Sequence, residues 1–367
     1  MPDKRKKKQI PLPQILKLLV SMSALGIKSL LLIDKKARDN WAKNMSNTIR
    51  KMVASDSTIL RTLSWLDNSS LKYINFSCYK NTSVQNRLGL TLPSQKKVSV
   101  GAIDGSGFGK ILASVFMVLG DDFNFLLDAK LCPKYGKELP TSTSLLNELV
   151  KKLGKGFVDY LLFDGLYFSQ NFFNACINAA MKPVIKTTET GLNVIQEAEE
   201  LFSTGIHNKE IEHSKGLDIN RNCEFEAWAV SGIHMEGVEP GLKVVKVMET
   251  RLKGKRAGET EIFFVITNAS ELSAADLRML AHSRWHIENN GFKSFNEQCR
   301  SKRLFSKDPQ ARFNLLLVQL LSFNIIQLFR LTCEEDQLKK IKYIFALSFS
   351  DLRSFFWQSL DRIFLAG

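Results

Sequence analysis

Residues 97–117 read KVSVGAIDGSGFGKILASVFM. A phosphate loop of the Walker type needs G-x-x-x-x-G-K-[ST]. Here Gly105, Gly109 and Lys110 stand one residue too close, and Ile111 replaces the metal-binding hydroxyl. A dinucleotide fingerprint needs G-x-G-x-x-G opening a helix. Gly105, Gly107 and Gly109 give G-x-G-x-G instead, and a β-type run follows. The stretch therefore reads as strand, glycine-rich turn, strand, with the glycines serving a hairpin or the close approach of another backbone. What remains is Asp104, a carboxylate at the end of an apolar strand, where burial without a partner is costly.

Outward from there, the segments 96–104, 111–120 and 123–131 form a predicted three-strand meander. STSLLNELVKKLGKG, 142–156, is helical and ends in glycines. FVDYLLFDG, 157–165, has the pattern of a buried strand and ends on a second acid, Asp164. A helix, SQNFFNACINAAM, and a strand, KPVIKTT at 182–188, follow. Strand–helix–strand predicts parallel pairing through a right-handed crossover, hence a mixed α/β sheet. Residues 189–267 read as a β-rich insertion with the basic turn RLKGKRAGE. Residues 273–299 read as one long helix capped by Ser273. Residues 12–92 are mostly helical, with Asp56 or Ser57 as the cap of a helix near Thr58, and helices fill the chain to 367.

The chain has 367 residues and a formal charge of +14. An excess that large suggests a polyanionic partner, nucleic acid first and an anionic membrane surface second; a merely soluble basic surface is the plainer reading. Six cysteines make no C-x-x-C pair and have no zinc-like spacing with the five histidines, so reduced, buried thiols are expected. The N-terminus imitates a secretory signal, but Lys17 and Lys28 interrupt its apolar run and Pro11 and Pro13 open it. A basic arm, Lys4–Lys8, followed by an amphipathic helix is the expectation. The uncharged run 313–329 is punctuated by Asn314, Gln319, Ser322, Asn324 and Gln327, which favours a buried core helix over a membrane span.

In a mixed sheet the ends of neighbouring strands share an edge, so Asp104 and Asp164 could converge; each could equally begin an ordinary Asp-Gly turn. Converging carboxylates repel unless a cation lies between them, and such oxygen ligands suit Mg²⁺ or Mn²⁺. In HSRWHIENNGFKSF, Arg284 and Glu288 lie four apart on one helical face. Glu288 could complete a three-carboxylate cage, and Arg284 could restrain it or hold a phosphate; an exposed ion pair of small value is the alternative. Trp228 or Trp285 could stack on an extruded base, although both read more simply as core. Arg251, Lys253, Lys255 and Arg256, with the arm Lys4–Lys8, are candidate phosphate contacts or solvated charge.

Asp104 in AIDGSGFG, Asp164 in LLFDGLYFSQ and Glu288 in SRWHIENNGFKSF together resemble the three acids of DDE transposases encoded by bacterial insertion sequences. The likeness is to the group with a β-strand insertion between the second Asp and the Glu, over about residues 96–330. It implies a ribonuclease-H-like fold: an α/β mixed sheet flanked by helices, with a β-rich insertion and a helical N-terminal region. The boundaries expected are 1–95 for the basic arm and helical region, 96–188 for the first part of the core, 189–267 for the insertion, 268–330 for the core helices carrying Glu288, and 331–367 for a C-terminal helical region. It further implies metal-dependent DNA strand cleavage and joining. Asp104, Asp164 and Glu288 would be the catalytic ligands of Mg²⁺ or Mn²⁺, two ions in all, and Arg284 and Lys293 would contact DNA phosphate. The partners implied are element-end and target DNA and a second copy of the chain in the DNA complex. The setting implied is cytoplasmic and DNA-associated, without a membrane. Two departures stand out. The Tyr and Lys positions of the group's Tyr-Arg-Glu-Lys signature fall on Ala281 and Phe295, leaving Lys293 as the substitute. Gly165, Leu166 and Tyr167 stand where Arg-Gly-Tyr often follows the second Asp. A related nuclease without strand transfer, or a DNA-binding protein that no longer catalyses, are the rival readings.

Overall fold

The structure, a computed structural model, describes residues 10–24, 26, 54–121, 123–204, 211–300 and 306–332. The arm Lys4–Lys8 and the region 333–367 lie outside the described residues. Helix α1 is Leu12–Ala24, α2 Asp56–Trp65, α3 Asn68–Tyr79 and α4 Thr82–Gln85. Ser55, not Asp56 or Ser57, caps α2 and accepts from the Thr58 amide. A small antiparallel ribbon, β1 (Leu90–Thr91) with β2 (Lys97–Val98), leads into the main sheet.

The meander forms as β3 (Val100–Phe108), β4 (Ile111–Leu119) and β5 (Phe125–Cys132), all antiparallel. Strand β3 runs past Asp104, so that acid lies mid-strand rather than at a strand end. Gly105 and Gly107 continue the ladder, opposite Ser114 and Leu112, because β4 goes on pairing with them. Only Gly109 takes the left-handed turn conformation, at φ 62°. After α5 (Glu138–Leu153), β6 (Tyr160–Asp164) lies parallel to β3, and α6 (Gln170–Asn178) crosses to β7 (Lys182–Thr187), parallel to β6.

The region after β7 opens with a helix that the sequence reading lacked, α7 (Asn193–Thr204). Strands β8 (Glu212–Asp218), β9 (Cys223–Met235), β10 (Val238–Arg251) and β11 (Thr260–Thr267) then join the same sheet, which runs β5-β4-β3-β6-β7-β11-β10-β9-β8. Strand β11 pairs antiparallel with β7. On one face Ile103, Leu161, Phe163, Ile185 and Phe264 pack into a core with α5, α6 and α7. On the other, Val100, Ala102, Leu162, Val184, Phe263 and Val265 pack against α1, α2 and the later helices.

Those helices are α8 (Ala274–Ser283), α9 (Ser294–Cys299) and α10 (Pro309–Thr332). Ser273 caps α8, accepting from the Asp276 amide. The long helix expected over 273–299 is not uniform: Ile287–Lys293 winds as a π-helix between α8 and α9. Helix α10 is long and apolar enough to span a bilayer, but 83% of its most apolar window is buried inside the protein. Its polar residues dock it there. Asn324 accepts from the Leu126 amide and donates to the Leu126 carbonyl and Asn75, at a bulge in β5. Asn314 donates to the carbonyls of Leu63 and Leu66 at the end of α2.

Candidate active site

Strand alternation decides which face each acid takes. The last ladder pair between β3 and β6 is Ala102↔Leu162. Asp104 and Asp164 each lie two residues further along, on the face of Ala102 and Leu162, where the two parallel strands part. This is the face covered by α8 and the π segment. Carboxyl ends of parallel strands are where open α/β sheets place ligands. The Gly105 amide donates to Asp104 Oδ1 at 2.8 Å, and the Leu166 amide donates to Asp164 Oδ1 at 2.7 Å. Gly165 follows Asp164 because β7 presses there: a Cβ would meet Thr187 Oγ1 at 2.8 Å.

Arg284 Nη1 donates to Glu288 Oε1 at 2.8 Å. The arginine side chain is 12% exposed and the glutamate 44%, so the pair is rooted in the protein and open at the carboxylate end. Burial, together with the negative charges of Asp164 and Glu288, pushes the Asp104 carboxyl up to about 6, against the pull of the Gly105 amide and Arg284. Asp104 thus feels both other acids and the arginine. Lys293 is exposed at the end of the π segment, five residues after Glu288.

Beside Asp164 lies a cavity of about 320 Å³, whose walls include Leu166, Lys186, Glu261, Arg284 and Trp285. Trp285 is 52% exposed at the rim of this cavity, so the expectation that it is core fails. Trp228 is half-buried and stacked on His213, with ring centroids 5.3 Å apart. Sequence reasoning missed Lys186. Its register partner is Asp164, and since Val184 and Ile185 are both buried the strand's pattern carried no signal of its face. Burial pulls its ammonium below the ordinary lysine range, while Glu261 partly offsets this.

The Glu288 helix is gripped from the added strands. Glu249 of β10 accepts from Arg278 Nε and pairs with His282 Nε2, both at 2.6 Å. Arg278 also donates to Asp218, the last residue of β8, at 3.1 Å and covers the Phe225 ring of β9 at 4.1 Å. Against burial, His282 first, then Arg278 and Arg221, hold the Glu249 carboxyl down at about 2.

Lys253, Lys255 and Arg256 are exposed in the β10–β11 turn, and Arg251 ends β10. They do not join the acid cluster. Because Phe264 pairs with Thr187, the last residue of β7, the stretch Thr260–Phe263 and this turn overhang the end of the sheet that carries the acids. Glu261 borders both the cavity beside Asp164 and a smaller one with Arg221 and Arg251.

The family model described as "Transposase DDE domain" matches residues 116–325, more than half of the chain. The chain belongs to the DDE transposase family. The matched span holds Asp164 and Glu288, and Asp104 lies just before it. No curated protein matches this transposase. Among solved structures, one similar chain is the piggyBac transposase in a synaptic complex with hairpin DNA. It is 13% identical over 99% of this chain and 76% of that one, with a TM-score of 0.47.

The donor set of the transposase fits a hard divalent cation: carboxylate oxygens, crowded anionic charge, and one acid whose ionisation is resisted. As placed, no three such groups close into a metal cluster among the described residues. Glu288 is instead held by Arg284.

Proposed function

We propose that this transposase cuts DNA strands at element ends and joins the freed 3′ ends to target DNA. In this reading Asp104, Asp164 and Glu288 would hold one or two divalent cations, Mg²⁺ or Mn²⁺. One observation carries it: two acids at matching offsets on adjacent parallel strands, the first of them in electrostatic reach of the second, of Arg284 and of Glu288. When bound, such a cation neutralises charge at the scissile phosphate and acidifies the attacking water or hydroxyl. The chain's own residues do the rest. The Gly105 and Leu166 amides orient the two aspartates. Arg284 restrains the Glu288 carboxylate, and Lys293 and Arg284 contact flanking phosphate. Arg251, Lys253, Lys255 and Arg256 contact the backbone further out, so affinity falls steeply with salt. Joining two ends calls for two copies on DNA, and the enzyme works among the chromosomal DNA of the cytoplasm.

The test is cleavage of end-containing duplex DNA, with Mg²⁺ and with chelator, followed by a search for joined 3′ ends. Wild type is expected to cut only with the ion, and Asp104→Asn to bind DNA without cutting. Full cutting by Asp104→Asn would overturn the assignment. Cutting without joined products would leave a nuclease.

A further inference from the structure

We propose that Lys186 is a phosphate contact of the cavity beside Asp164, its ammonium holding a non-bridging oxygen of the DNA strand bound at the acids. The proposal rests on the reading of the site as one that acts on DNA. Three observations carry it. Lys186 is the direct register partner of Asp164 on the neighbouring parallel strand. Side chains so paired rise from one face about 4.8 Å apart. A strand whose phosphate reaches Asp164 therefore passes within reach of this ammonium.

The side chain is also held in place before any ligand arrives. It is 12% exposed, and its Nζ lies 3.8 Å from the centroid of the buried Phe263 ring. A lysine whose stem is already fixed loses little rotamer freedom on binding, which favours the contact.

Lastly, its charge is poorly matched. The half-buried lysines that staple this fold make short bonds. Lys243 donates to Glu212 at 2.8 Å and to the Leu272 carbonyl at 2.7 Å. Lys72 donates to the Ala129 carbonyl at 2.8 Å and meets Asp128 at 2.9 Å. Among the described residues, the ion partner of Lys186 is Glu261, at 3.6 Å with its own side chain 46% exposed. That distance is too long for a good charge-assisted hydrogen bond. Arg284, the other cation on the cavity wall, is already bonded to Glu288. An arriving phosphate would therefore let Lys186 exchange a long contact for a short one.

The experiment uses the full chain in chelator, with a fluorescein-labelled random-sequence duplex ending in 3′-hydroxyls. Binding is measured across a salt series for wild type, Lys186→Met and Lys186→Arg. Methionine keeps the stem on Phe263 and removes the charge. Its slope of log affinity against log salt is expected to be shallower than wild type by about one, and that of the arginine variant unchanged. A second measurement needs no variant: acetylation of lysines in the wild-type protein, mapped by mass spectrometry with and without the duplex. Labelling at Lys186 is expected to fall severalfold with DNA. If wild type binds DNA but the methionine variant keeps the full slope, or Lys186 is labelled equally in both states, the proposal is overturned and the DNA reading stands. If wild type shows no salt-dependent DNA binding, both fall.

Discussion

At the residue scale, Asp104 links the site to the stability of the whole chain. Its carboxyl is raised from 3.8 to about 6, so between those values the folded protein keeps a proton that the unfolded chain has lost. Stability contributed by this group therefore declines as pH rises through that window, by about 2–3 kcal/mol at neutral pH in the absence of a bound cation. Asp104→Asn keeps an acceptor for the Gly105 amide and removes the charge. Thermal unfolding should show the variant more stable than wild type at pH 7 and about equal at pH 4; equal midpoints at both would refute the electrostatic account. The acids and Arg284 were legible in the sequence because each stands out chemically against apolar surroundings. Lys186 was not, because a lysine in a strand declares no face until the partner strand fixes its register.

At the element scale, the added strands act as a brace for the helix that bears Glu288. Arg278 reaches Asp218, Glu249 and Phe225, and so touches β8, β9 and β10 at once. Arg278→Met leaves Glu249 buried without its guanidinium donor and should cost about 3–5 kcal/mol of stability, measured by denaturant unfolding. Loss of the Glu249 contribution runs the other way with pH. Its carboxyl is depressed, so the stabilisation holds above about 4.5 and fades as pH falls toward about 2. On α10, Asn324→Leu orphans the Leu126 amide and Asn75, and should cost roughly 2–4 kcal/mol; a neutral result would mean that water replaces the amide. Helical periodicity made α8 and α10 readable. It could not reveal the π turn at Ile287–Lys293, since apolar spacing near a buried glycine fits either winding. Gly291 permits this one by letting the segment sit on Met117, whose sulfur would lie 2.9 Å from a Cβ there.

At the scale of the whole molecule, the sequence showed strands after β7 but not their destination. Their alternation fits any sheet with a buried face, so pairing between β11 and β7 is visible only in three dimensions. One sheet of nine strands results, and the basic turn hangs beyond the edge where the acids lie. Four residues of overhang, Thr260–Phe263, extend about 14 Å at ~3.4 Å each. Duplex DNA advances about 3.4 Å per base pair, so that reach spans roughly four steps. On the proposed reading the hairpin would serve as a ruler: a duplex held at the acids would meet the cations of this turn about four base pairs away. Replacing Lys253, Lys255 and Arg256 together by alanine should open a gap in the hydroxyl-radical footprint at that separation while the cut stays at the same nucleotide.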